Sequence, residues 1–270
     1  MSWMEIAGYI GALLIGLVMG LTGSGGSILS VPILAYLFNY DEKTATAYSL
    51  FIVGVTAAVG CFRVIKEKMI NTQLIFYFGL PAIFGILMSR RLILPYLPDE
   101  LFEVFGFHVS RRMFVFGLFG CLMLLAFYTM MHKTQSKIDA KEKEIHFHPL
   151  IVTEGFFLGL FMGIVGAGGG FLMVPALMLI ANLPIRKAVG TSMFIVCMNS
   201  LSGFFLGDFF FMKIDWNFLG VFVGLSLVGI LIGGRLVKYI DAEKLKIGFA
   251  YFILLMAIFI FFMEFLIQLH

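Results

Sequence analysis

The sequence predicts an all-α polytopic membrane protein built from two inverted repeats. Each repeat has about four helical elements and opens with a Gly-broken segment, kinked or re-entrant. Three observations predict this. The 270 residues are 61% hydrophobic and 13% charged, with a mean hydropathy of +1.02, more apolar surface than a soluble domain can bury. Six apolar runs are long enough to span a bilayer. Residues 16–53 recur at 159–196, where 17 of 38 ungapped positions are identical.

In chain order, the apolar runs cover 44–62, 73–89, 112–131, 187–207, 216–234 and 245–267. The 73–89 run is short and can continue past Arg90 and Arg91 into LILPYL. Residues 4–38 and 149–181 are each too long for one span and too short for two, and each holds a glycine cluster near its middle. The N-terminal stretch has no Lys or Arg before its apolar run, so it reads as a retained membrane segment. The division expected is 1–131 for the N-terminal repeat, 132–148 for a polar linker and 149–270 for the C-terminal repeat.

Broken backbone inside a bilayer must be buried in protein or line a cavity, because no water is there to satisfy its N–H and C=O groups. Each broken segment is therefore either one kinked span or a hairpin that enters and leaves on one side. Lys and Arg counts favour the hairpin. With two hairpins, six true crossings remain and the halves are inverted. The loops at 63–68, 132–148, 183–187 and 235–246 then hold 13 of the 19 basic residues and lie inside, with both termini outside. Eight crossings divide the charges only 11 to 8.

The glycine clusters are the candidate site. A short helix starting near Ser27 or Gly170 exposes backbone N–H groups with no intrahelical partner, at the positive end of the helix dipole. Glycine lets a ligand approach that backbone, so each start is suited to an anion. Inverted halves would aim the two starts at one another near the midplane. The candidate residues are Gly23, Ser24, Gly25, Gly26 and Ser27 in the first copy, and Gly166, Gly168, Gly169 and Gly170 in the second. The competing reading is close helix packing, which Gly16/Gly20, Gly159/Gly163, Gly220/Gly224 and Gly229/Gly233 fit by their GxxxG spacing.

The next helix of each half offers hydroxyl and amide donors: Tyr48, Ser49 and Thr56 in the first, and Thr191, Ser192, Asn199, Ser200 and Ser202 in the second, with Thr191, Ser192 and Asn199 the leading candidates. Ser and Thr can equally bond their own helix backbone. Arg91 and Arg235 follow the third helix of each half and read as interfacial snorkelling residues, or as anion attractors at two mouths. Asp208 and Asp215 flank Lys213 and read as solvated loop residues. Glu5, Glu154 and Glu264 lie near segment ends, which gives proton coupling by an intramembrane carboxylate little support, although Glu154 precedes the second break. Cys61, Cys121 and Cys197 read as buried packing residues.

No enzyme motif, P-loop or metal-ligand spacing is present, and His146 and His148 form only a weak His-x-His pair. No cofactor is expected. The net charge of +3 is spread over loops and forms no nucleic-acid patch.

The chain resembles the sulfite exporter TauE/SafE family of membrane transporters. The resemblance rests on the Gly-rich break followed by Val-Pro in both copies, on AVGTSM at 188–193 and on GDFFFMKIDW at 207–216. It implies transport of sulfite or an organosulfonate such as sulfoacetate or taurine, as export across the bacterial inner membrane. The first copy departs from the pattern, with GSGGS for GAGGG and Ala-Tyr-Ser at 47–49 for Gly-Thr-Ser, so its side of the site contacts substrate differently. The function expected is a secondary transporter working by alternating access. A passive channel for another small solute is the alternative, and a scaffold with packing glycines is a third reading. The partners expected are a small anionic substrate and the lipid bilayer, with a second copy of the chain as a candidate.

Overall fold

The computed structural model describes residues 3–23, 25–98, 100–104, 107–132, 149–166, 168, 170–180 and 183–269. Ser24, Gly169, and the linker from residue 133 to 148 with His146 and His148, lie outside the described residues. The first half comprises α1 (Trp3–Thr22), α2 (Ser27–Leu37), α3 (Glu42–Lys66), α4 (Thr72–Tyr96) and α5 (Arg111–His132). The second comprises α6 (Pro149–Val165), α7 (Gly170–Ile180), α8 (Ile185–Asp208), α9 (Trp216–Tyr239) and α10 (Ala242–Leu269).

Among the described residues, seven helices are long and apolar enough to cross a membrane: α1, α3, α4, α5, α8, α9 and α10. Large apolar side chains such as Phe76, Phe84, Leu231 and Phe262 are exposed on the outside of the bundle, as a lipid solvent permits. The α4 span runs on through Arg90 and Arg91 to Tyr96. Two features differ from the sequence expectation. A short antiparallel hairpin, β1 (Glu100–Val104) with β2 (Phe107–Ser110), links α4 to α5, so the chain is not wholly helical. Cys121 is exposed on α5, whereas Cys61 is buried.

Local chemistry sets several helix starts. Asp41 caps α3 by accepting from the Thr44 N–H at 3.3 Å. Asp215 caps α9 by accepting from the Asn217 and Phe218 N–H groups at 3.1 and 3.0 Å. Asp215 is therefore a cap as well as a loop residue.

The halves interlock, and the same packing appears twice. α1 packs on α9, and its counterpart α6 packs on α4. Gly16 lies against the Ser226 backbone and Gly20 against Ile230; Gly159 lies against Ala82 and Gly163 against Ile86. These pairs map onto one another when the sequence is moved by 143 or 144 residues. A side chain at any of the four glycines would strike neighbouring helix backbone, which is the close-packing use of small residues. Gly229 and Gly233 share it, whereas Gly220 and Gly224 have nothing within 4 Å among the described residues.

The two remaining pairs join repeat equivalents. α3 meets α8, with Gly54 against Leu201 and Gly60 against Met193, so the two helices cross antiparallel. α5 and α10 also run antiparallel, from the Arg112–Glu264 ion pair to the Phe127–Tyr251 ring contact.

Candidate functional site

The first break begins where α1 ends. Gly23 closes the helix with its N–H on the Met19 carbonyl at 2.8 Å and turns left-handed at φ +84°. Thr22 bridges the gap: its Oγ1 donates to the Val18 carbonyl at 2.8 Å and accepts from the Gly25 N–H at 2.9 Å. Gly26 is pressed against Ile15 and Met19, Ile33 packs on Gly11, and Phe38 packs on Gly8 and Tyr9. The chain thus doubles back beside α1, with α2 antiparallel to it. Ser27 is fully buried at the start of α2. Facing this break are Val189, against Gly23, and Phe249, against Gly25.

The second break repeats the first turn. Gly166 donates to the Met162 carbonyl at 2.8 Å and has φ +73°; Gly168 has φ +61°. Gly170 opens α7 and is buried. The surroundings differ from those of the first break. Gly166 lies against Thr46 and the Arg90 Nη2, and Gly168 against the Ser200 hydroxyl. Arg90 is 3% exposed. Its Nη1 donates to Thr46 Oγ1 at 3.1 Å and pairs with Asp208 at 3.3 Å. Asp208 is therefore not a solvated loop residue but the counter-ion of a buried arginine. Its π-wound helix end, Gly203–Asp208, turns it inward, and Gly207 leaves room for the Arg90 stem. Arg90 sits in a second π-wound stretch, Ser89–Ile93. Such turns often mark functional sites.

Gly23 and Gly166, the first residues of the two breaks, lie towards opposite ends of α3. The second touches Thr46, near the start of α3, whereas Arg63, near its end, donates to the Gly20 carbonyl beside the first break. Thr46 and Arg63 lie about 25 Å apart along α3 at about 1.5 Å per residue. Gly168 lies against Ser200 and Val53, near the middle of α3, and the two short helices α2 and α7 touch. α1 is a full 20-residue helix before its break. A small surface cleft lies near each break. Thr46, Leu94 and Arg111 border the cleft near the second break, and Val189, Lys246 and Phe249 the cleft near the first.

The polar residues of α3 and α8 separate into different roles. Ser49 shares a 2.5 Å hydrogen bond with Ser30 of α2, tying α2 to α3. Thr191 Oγ1 accepts from the Asn71 N–H at 2.9 Å and holds the start of α4. Ser192 donates to the Val189 carbonyl of its own helix at 2.9 Å. Asn199 is 0% exposed, and neither side-chain amide atom has a hydrogen-bond partner among the described residues. The α3–α8 contacts set Asn199 across from Val55 and Thr56, near the middle of the crossing. Leaving a buried polar group unpaired costs about 1–3 kcal/mol.

Sequence reasoning singled out Arg91, which is exposed and donates to the Leu206 carbonyl at 2.7 Å, and passed over Arg90. It also passed over Thr46 and Ser89. The repeat held the signal: at the alignment that pairs Arg91 with Arg235, Arg90 stands opposite Gly234.

Fold and site together define a multi-pass helical membrane protein whose two interlocked halves each carry a buried glycine break. The chain belongs to the sulfite exporter TauE/SafE family, whose model matches residues 9–260. It is 30% identical over 210 residues to the probable membrane transporter protein YunE of Bacillus subtilis, covering 71% of this chain and 73% of that one. It is 31% identical over 190 residues to YdhB of the same organism, also named a probable membrane transporter protein, covering 70% and 73%. A probable membrane transporter protein of Methanocaldococcus jannaschii is 27% identical over 200 residues, covering 71% and 69%. No solved structure matches.

Proposed function

We propose that this protein is a secondary transporter that exports a small sulfur-containing anion, sulfite or an organosulfonate such as sulfoacetate or taurine, across the inner membrane by alternating access. Family membership supports the substrate class. Asn199 carries the site: it is buried, has no hydrogen-bond partner among the described residues, and lies near the middle of the α3–α8 crossing, beside the Ser200 that meets Gly168.

The antiparallel crossing of the repeat equivalents α3 and α8 supports inverted halves. The units that rock are then the interlocked pairs, α1 with α9 and α6 with α4, rather than 1–131 against 149–270. Basic-residue counting favours the loops at 63–68, 132–148, 183–187 and 235–246 inside, with both termini outside. Cysteines placed in 133–148 should label from the inside and cysteines in 96–108 from the outside; labelling of both from one side overturns this topology.

The deciding experiment is counterflow in proteoliposomes. Labelled sulfite or sulfoacetate taken up by the wild type should saturate and be accelerated by the same anion on the far side. Asn199→Leu should retain the fold and lose most of that exchange. Uptake that rises linearly without acceleration would identify a channel. Asn199→Leu exchange at the wild-type rate would remove Asn199 from the path.

A further inference from the structure

The second break carries more unsatisfied polar chemistry than a packing role requires. Only the Nη1 of Arg90 is engaged, by Thr46 and Asp208; its Nε and Nη2 have no hydrogen-bond partner among the described residues. Those two nitrogens form one edge of the guanidinium, the edge that binds an oxyanion through two parallel N–H···O bonds. Nη2 lies against Gly166, so closely that any side chain there would collide with Thr46 and the guanidinium. The hydroxyls of Ser89 and Ser200 are also fully buried and unpartnered among the described residues, beside Gly163 and Gly168.

The other half lacks this set. Repeat-equivalent to Thr46, Ser89, Arg90, Ser200 and Asp208 stand Val189, Gly233, Gly234, Ala57 and Ile65. Backbone packing common to both breaks therefore does not need these five side chains.

We propose that Arg90 is the charge-selecting residue of an oxyanion subsite at the second break, and that Asp208 is its resident counter-ion, displaced when an anion binds. An anion added beside an intact Arg90–Asp208 pair would leave one net negative charge buried, so the two acids compete for the same guanidinium. Asp208 ends its helix and its side chain is 15% exposed, which lets it turn to the aqueous end when displaced. The fork selects ligands with two acceptor oxygens on one face, such as sulfite, a sulfonate or phosphate, over a spherical halide. The inference deepens the transport reading and is tested by binding alone.

The test is calorimetric titration of the detergent-solubilised full chain with sulfite, sulfoacetate, phosphate and chloride. The wild type should prefer an oxyanion to chloride by on the order of tenfold or more. Asp208→Asn should tighten the oxyanion by on the order of tenfold, because the competitor is neutral. Arg90→Lys should keep charge attraction and lose the preference over chloride. Arg90→Gln alone leaves an uncompensated acid and risks misfolding, so the neutral pair Arg90→Gln with Asp208→Asn is the decisive variant: folded, it should bind at least about tenfold more weakly than wild type. Wild-type affinity in that pair overturns the subsite and leaves the transport reading standing. Weaker binding in Asp208→Asn overturns the counter-ion role. Arg90-dependent binding of phosphate alone keeps the subsite and removes the sulfur substrate. No binding of any anion by the wild type overturns both.

Discussion

At the first break Gly23 faces Val189 and Gly25 faces Phe249, whereas at the second Gly166 faces Thr46 and Arg90, and Gly168 faces Ser200. The backbone is nearly the same in the two places. Gly23 and Gly166 accept the same left-handed turn and close their helices on Met19 and Met162. Each end also has an arginine, but used differently. Arg63 is half-buried, rests on a backbone carbonyl and leaves only its Nε unpaired among the described residues, while Arg90 is sealed in with an acid and leaves both its Nε and Nη2 unpaired. A duplicated unit must keep its glycines where backbone meets backbone, since any side chain would collide. The side chains around them are under no such constraint, and here they have diverged from apolar to ionic.

The largest effect that tests this contrast comes from removing each arginine. Arg90→Ala strands the Asp208 carboxylate and should destabilise the protein by about 3–5 kcal/mol. Arg63→Ala loses one hydrogen bond from a charged donor and should cost no more than about 1.5–3 kcal/mol. Denaturant titration of the solubilised chain measures both, and equal losses would erase the distinction between the ends.

The shared backbone is tested next. Gly23→Ala and Gly166→Ala each impose left-handed backbone on an L-residue, a cost of about 1–2 kcal/mol, with a collision added at both sites. The two losses should agree within about 1 kcal/mol in the same titration. A much smaller loss at one break would mean that its turn can relax.

The smallest effects concern an unpartnered hydroxyl and two glycines in open space. Ser200→Ala takes away a buried, unpartnered hydroxyl and installs the residue that its repeat equivalent, Ala57, already carries. Stability should hold or rise by up to about 1 kcal/mol while oxyanion binding weakens. Gly220→Ala and Gly224→Ala, in open space on α9, should likewise hold or gain up to about 1 kcal/mol by helix propensity. The same change at Gly16 or Gly159 should be clearly destabilising.

Composition and apolar run length were enough to determine a multi-pass helical membrane protein, because burying so much apolar surface in a chain of this length leaves no soluble alternative. The internal repeat and its glycine clusters determined where the helices would break, because sequence identity and φ freedom are local properties. The depth and surroundings of those breaks came only from the tertiary structure. α1 needs no partner to be long, but that its break sits beside the end of α3 depends on how it packs against α9. Arg90, Thr46, Ser200 and Asp208 come from three helices and are distant in sequence. Helices apolar on every face carry no periodic signal saying which side looks inward. Arg90 and Arg91 illustrate the limit: as neighbours with the same chemistry, they point in different directions around one helix, and packing alone buries the first and exposes the second.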